Sequence, residues 1–173
     1  MIKSAILLYS KNYFDFKNIE YNKIRIRDIA HGLSNVCRFA EQCPEFYSVA
    51  QHSVLVSQML PPHLQLQGLL HDAAEAYMGD IAKPLKELLP DYVALEKRVE
   101  AHIFESFGLP STLNSMVKNA DMRLLRTEQR DIMRCSDDWY YSSGVAALDE
   151  QIVPLPAKQA EELFLDQYLR LTK

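Results

Sequence analysis

Two adjacent prolines, Pro61 and Pro62, constrain the fold of this chain more than any other feature. Proline lacks a backbone donor and clashes with the turn before it, so the apolar segment that precedes the pair must end there. Proline is also favoured in the first turn of a helix, so a new helix can start at once. Upstream, Ser48-Val49-Ala50-Gln51 has the form of a capping box. It opens a helix through His52, Val54, Leu55 and Val56 to Met59. Downstream, the pattern predicts a helix from Pro62 to Tyr77-Met78, closed by Gly79. Two helices joined this tightly pack as neighbours.

The second of these helices carries Leu69-Leu70-His71-Asp72-Ala73-Ala74-Glu75, an imidazole and a carboxylate side by side after an apolar run. Neighbouring helical residues point about 100° apart, so His71 and Asp72 can grip one ion from two directions. Glu75, i+4 to His71 and i+3 to Asp72, falls within reach of both. Two ligands do not hold a metal. His52 lies mid-helix on the neighbouring element, and Asp121 lies between Val117 and Leu124-Leu125, where a carboxylate is costly unless paired or coordinated. Two imidazoles and two carboxylates suit one divalent first-row ion such as Zn, Co, Mn, Ni or Fe, with positions open for water and substrate. His31, His63 and His102 read as satisfied core residues.

The remaining pattern is helical. Asp28 to Leu33 reads as a short helix after the alternating Ile24-Arg25-Ile26-Arg27. Asp80 to Lys86 reads as a loop or a helical turn. Tyr92, Leu95, Val99, Ile103 and Phe107 form the apolar face of a helix that starts at Pro90-Asp91 and ends at Gly108. Residues 112–134 form another, with Val117, Ala120, Leu124 and Leu125 inward and Arg123, Arg126, Glu128 and Arg130 outward. A polar and aromatic stretch, 136–156, holds the sole tryptophan, Trp139, and is long enough to imply packing on the surface or a short element of its own. Ala157 to Leu171 closes as an amphipathic helix. Around the turn-like Ser10-Lys11-Asn12, residues 2–9 and Tyr13 to Phe16 suggest a short rim hairpin. The fold class is all-α, one compact helical bundle over residues 1–173 with little or no β.

Hydrophobic residues at 48% and charged residues at 24% are those of a globular chain. A net charge of -4 argues against a nucleic-acid polymer as partner. No apolar run approaches the roughly 20 residues of a membrane span, and Met1 to Tyr9 is too short and weakly charged for a secretory signal. Cys37, Cys43 and Cys135 lack metal-site spacing and read as free thiols of a reducing, cytoplasmic setting.

The arrangement His52…His71-Asp72…Asp121 resembles the H…HD…D signature of the HD-domain metal-dependent phosphohydrolases. The likeness runs past the ligands, through Cys37-Arg38-Phe39, Tyr47 to Ser53, Leu70 to Asp80 and Pro84-Leu85-Lys86. It is similar to the branch that holds bacterial 5'-deoxynucleotidases and small phage-type deoxynucleoside triphosphate hydrolases. The resemblance covers about residues 10 to 134. It implies a compact HD-domain helical bundle, often a dimer or hexamer, with His52, His71, Asp72 and Asp121 as metal ligands. Glu75 matches the catalytic carboxylate and Asp80 a second catalytic acid. Arg38 matches the phosphate-binding arginine, and Phe39 stands where the deoxynucleotidases carry Trp near the nucleoside. Lys83, Pro84 and Lys86 match a rim for phosphate and base.

The expected reaction is hydrolysis of a 2'-deoxynucleotide phosphoester, with a purine triphosphate such as dATP ahead of a deoxynucleoside monophosphate. Further ions at the substrate phosphates, and Lys97 or Arg98 of a neighbouring subunit, are candidates for the extra charge a triphosphate needs. A two-metal cyclic-nucleotide phosphodiesterase would need more histidines between the HD pair and the last Asp, where only His102 lies. A nucleotide-binding module without turnover would be expected to lack Glu75 or a ligand.

Overall fold

The computed structural model describes residues 3–173; Met1 and Ile2, where the expected N-terminal segment begins, lie outside the described residues. The chain is mostly helical, with one two-stranded sheet. Strands β1 (Ala5–Leu7) and β2 (Tyr13–Asp15) form the expected hairpin, in register Ala5↔Asp15, Ile6↔Phe14 and Leu7↔Tyr13. Lys11 takes the left-handed conformation in its turn, at φ 64°. The buried Asp28 carboxylate accepts hydrogen bonds from the backbone and hydroxyl of Ser10, which pins this turn to the helix behind it.

That helix, α1 (Ile26–Asn35), starts within the alternating stretch, so Ile26 and Arg27 are helical rather than extended. Helix α2 (Val49–Gln58) is the centre of the molecule. Eight of its ten residues are buried, the polar Gln51, His52, Ser53 and Ser57 among them. It packs against α1, α3 (Pro62–Leu70), α7 (Ser115–Asp131) and α8 (Ala157–Leu171). The Ser48 side chain caps it by accepting from the Gln51 backbone. The capping box is only half formed, because the Gln51 amide is spent elsewhere. It donates to the Val153 carbonyl and accepts from Leu155 N, fixing the stretch before α8.

The Pro-Pro junction behaves as predicted, with α2 ending at Gln58 and α3 starting at Pro62. The single helix expected from Pro62 to Met78 is not continuous. After Leu70 the backbone bonds shorten to i→i+3, from Ala73 to Leu70, Glu75 to Asp72, Ala76 to Ala73 and Tyr77 to Ala74. A short α4 (Glu75–Met78) follows. The His71 ring competes for the carbonyl at Gly68, with Nδ1 at 2.8 Å, which favours the tighter winding. In such a turn residues three apart eclipse. Asp72 and Glu75 therefore share a face that His71 does not.

Beyond Gly79, at φ 81°, come α5 (Lys83–Lys86), α6 (Pro90–Ser106) and α7. One apolar cluster joins Phe14, Ile29, Leu33, Val54, Leu69 and Phe164 between α1, α2, α3 and α8. A second joins Tyr47, Val56, Leu60, Val117 and Leu124 on the other side of α2. Of the three histidines expected in the core, His63 is exposed at the start of α3, where the first turn faces water. His31 is half-buried, stacked on Tyr9 and 3.2 Å from Glu161, and His102 reaches the Asn22 carbonyl at 2.9 Å. The three cysteines are free thiols. Among the described residues no helix is long and apolar enough to cross a membrane.

Helices α1 and α4 touch through Gly32. A Cβ there would meet the Ala76 backbone oxygen at 2.8 Å and its Cα at 2.9 Å, atoms that cannot swing aside. Gly68 faces the end of the Leu60 side chain instead, which can rotate. Gly32→Ala should therefore cost about 1–3 kcal/mol as overpacking and Gly68→Ala less, checked by thermal or urea unfolding of the two variants.

Candidate metal centre and cleft

Helices α2 and α3 bring His52 and His71 face to face, with their Nε2 atoms 3.3 Å apart. Each ring is held from behind. His52 Nδ1 lies 2.6 Å from a Glu128 carboxylate oxygen, and His71 Nδ1 donates to the Gly68 carbonyl at 2.8 Å. When both Nδ1 atoms carry the proton, both Nε2 lone pairs point into one small space. Carboxylates close the space. Asp72 Oδ2 is 3.2 Å from His71 Nε2 and 3.6 Å from His52 Nε2. Asp121 Oδ1 is 3.2 Å from His52 Nε2 and 3.9 Å from His71 Nε2.

Four acceptors converging on one point require positive charge at that point. Burial disfavours charged imidazoles, yet the surrounding carboxylates hold both His52 and His71 above the usual histidine range. Burial likewise opposes ionisation of Asp72, but the His71 ring outweighs it and lowers this carboxyl to about 2. Hydrogen bonds from both imidazoles hold Asp121 well below its ordinary value against the same penalty. His52, His71 and Asp72 offer ligand atoms within 4.8 Å of one another, so this group can hold a metal ion.

The residue behind His52 was expected to face solvent. Glu128 is instead wholly buried and is the hub of a polar network. One of its oxygens takes the Tyr47 hydroxyl at 2.8 Å as well as His52, and the other takes Arg38 through Nε and an Nη, both at 3.1 Å. Burial raises its pKa, but Arg38 and His52 bring it below the ordinary value. The signal was in the spacing. Glu128 is seven residues after Asp121, two turns on, and so shares the inward face of α7.

Arg38, anchored by Glu128, extends its other nitrogen to 3.6 Å from Asp72 and lines a cleft of about 620 Å³ that opens from the metal centre. The predicted site residues all meet here. His52 and His71 sit at the bottom of the centre, while Asp72, Glu75, Asp80, Asp121, Arg38, Phe39, Lys83, Pro84 and Lys86 line the cleft. Glu75 is buried, with Oε1 3.6 Å from Lys86 Nζ and Oε2 without a hydrogen-bond partner. Burial and the negative charges of Asp72 and Asp80 push its pKa well up, against the pull of Lys86. Burial also raises Asp80, against Arg38. Lys86 is further committed to Glu96 at 2.6 Å.

The backbone that presents Phe39, and the wall around Trp139, were not read from the sequence. Phe39, Ala40 and Glu41 take φ values of 55°, 49° and 59°, three consecutive non-glycine residues in the left-handed region. This turn carries the Phe39 ring beside the Arg38 guanidinium, 5.8 Å away. Opposite, the 136–156 stretch carries a short 3₁₀ turn, Tyr140–Ser142, and sets Trp139 and Tyr141 against the cleft. Arg126 and Gln129 hold that stretch by donating to the Asp137 carbonyl, and Ser142 Oγ donates to Gln129.

The chain is 41% identical over 172 residues to the Escherichia coli (strain K12) protein YfdR, an alignment that covers 98% of this chain and 97% of YfdR. It belongs to the same family as YfdR. A Rhodobacter capsulatus protein, RCAP_rcc00048, is 39% identical over 107 residues, 56% of this chain and 55% of that protein. Both relatives are described as uncharacterized proteins. No family model matches the chain.

Glu128→Gln keeps the shape but removes the charge behind His52 and beside Arg38. It should weaken divalent-metal affinity by about 10–100-fold and, by leaving Arg38 buried without its partner, cost about 3–5 kcal/mol. Tyr47→Phe removes a single hydrogen bond and should cost about 1 kcal/mol with metal affinity unchanged. Calorimetric metal titration and thermal unfolding of both variants separate the two roles.

Proposed function

We propose that this chain is an HD-domain type metal-dependent phosphohydrolase that cleaves the phosphoester of a 2'-deoxynucleotide. The observation that carries the reading is the convergence of two imidazole nitrogens and two carboxylates on one point, open to a cleft with an arginine at its inner wall. His52, His71, Asp72 and Asp121 would hold one divalent ion. Such an ion acidifies water and polarises a phosphoryl oxygen.

The chain's own groups supply the remaining parts. Arg38 presents a planar fork to phosphate oxygens, and its anchoring by Glu128 fixes the fork in place. Glu75, with one oxygen unpartnered beside Asp72, takes the proton of the attacking water. Asp80 returns a proton to the departing 5'-oxygen. Water oxygen bonds to phosphorus as the phosphorus to 5'-oxygen bond breaks, so a triphosphate substrate yields deoxynucleoside and triphosphate. The cleft volume, about 620 Å³, lies within the range of ordinary ligand sites and is large enough for a deoxynucleotide.

A second reading, a 5'-deoxynucleotidase acting on monophosphates, draws on a separate observation. Lys86 is already engaged by Glu75 and Glu96, which leaves Arg38 and the exposed Lys83 as the cleft cations that can meet phosphate. Lys97 and Arg98 are exposed on α6 and do not line the cleft of their own subunit.

Purified protein assayed with Mn or Co against panels of deoxynucleoside triphosphates and monophosphates should release deoxynucleoside together with triphosphate. Turnover of monophosphates alone transfers the proposal to the second reading, and no turnover of either panel rejects it. Glu75→Ala should abolish hydrolysis while metal affinity stays within about twofold of the parent; a Glu75→Ala protein that still turns over removes Glu75 from its assigned role.

A further inference from the structure

We propose that Trp139 and Phe39 together form an aromatic clamp against which the nucleobase stacks, so that the stretch after α7 sets substrate selectivity. The inference rests on the nucleotide reading above and adds a residue to which neither motif nor resemblance assigns a role. Both rings line the cleft and stand together as a tilted pair, with centroids 6.5 Å apart and planes inclined by 36°. At that separation the rings are neighbours in the range of aromatic pairs, and together they offer an entering base one aromatic surface on which to stack.

The polarity of the cleft runs the same way. Arg38, Asp72, Glu75 and Asp121 line it next to the histidine pair, and Met122, Leu125 and Met133 join the two rings in its apolar lining. A ligand with one anionic end and one flat apolar end fits this division, and an inorganic phosphate or a bare sugar phosphate uses half of it. Each arm of the clamp is fixed. Phe39 projects from the left-handed turn, which no flexible side-chain rotation alone would produce. Trp139 is braced edge-on by Tyr141, at 5.5 Å, and the stretch beside it is tied to α7 by Arg126 and Gln129. Lys83 lies 5.2 Å from the Tyr141 ring centre, which joins this wall to the phosphate rim. Stacking accepts any base face and is strongest for purines with their larger surface.

Trp139 is the chain's single tryptophan, so its fluorescence reports on the clamp directly. The test titrates the Glu75→Gln protein with 2'-deoxyadenosine 5'-monophosphate and, separately, with 2-deoxyribose 5-phosphate. The nucleotide should quench emission saturably and the base-free sugar phosphate should not. In the parent background, Trp139→Ala should raise KM for whichever deoxynucleotide is turned over by roughly 10-fold or more, with a much smaller change in kcat, and Trp139→Phe should recover most of the loss. Equal quenching by both ligands, no quenching by either, or an unchanged KM in Trp139→Ala overturns the clamp. Turnover with an unchanged KM does so while leaving the phosphohydrolase reading intact. Saturable, base-dependent quenching in a protein that hydrolyses nothing supports the clamp and rejects the reaction.

Discussion

Two imidazole nitrogens held 3.3 Å apart, each with its other nitrogen already committed, are an arrangement that electrostatics resists unless something positive lies between them. Most of the molecule can be understood as what it takes to keep them there. Helix α2 must be buried all round to carry His52 to the interior, and the proline pair must turn the chain back at once so that α3 delivers His71 opposite. The winding must then tighten, so that Asp72 and Glu75 share one face. Helix α7 contributes twice from one stripe, with Asp121 in front of the histidines and Glu128 behind.

Glu128 shows how one buried charge can order a large part of a site. It fixes the His52 ring, holds Arg38 and is itself held by Tyr47. An isolated carboxylate there would be untenable, since burying an unpaired charge costs several kcal/mol. With three partners it transmits the position of α7 to the histidine pair and to the Arg38 side of the cleft at once. The four-residue helix α5 plays a lesser part on the opposite rim, where Lys86 is pulled toward Glu75 and Glu96.

What was legible in the sequence was local. The Ser48 cap, the proline stop and start, the ends of α8 and the hairpin around Lys11 all depend on neighbours within a few residues, and they stand where the pattern put them. The residues that gather around His52 and His71 had also been named, His71, Asp72 and Glu75 by their helical spacing and Arg38 and Asp80 by the resemblance. What was missed depends on distant partners. The break in helix geometry after Leu70 follows from the His71 ring reaching the Gly68 carbonyl. The buried charge of Glu128 is sustained by Arg38, ninety residues away in sequence, and a glutamate flanked by arginines looks like surface unless its two-turn spacing from Asp121 is weighed. The aromatic wall around Trp139 has no periodic signal, since its position is set by hydrogen bonds to α7 and not by a repeating element.

The left-handed turn at Phe39, Ala40 and Glu41 has a consequence for how such a chain can change over time. Side-chain-bearing residues in this conformation carry a penalty of roughly 1–2 kcal/mol each, so glycine would be the easier occupant at the exposed Ala40. A population selected only for heat resistance would drift toward that glycine. The same drift would free the hinge between Arg38 and the Phe39 ring. Three such residues in a row place a stability cost on the very segment that aims the Arg38 and Phe39 side chains.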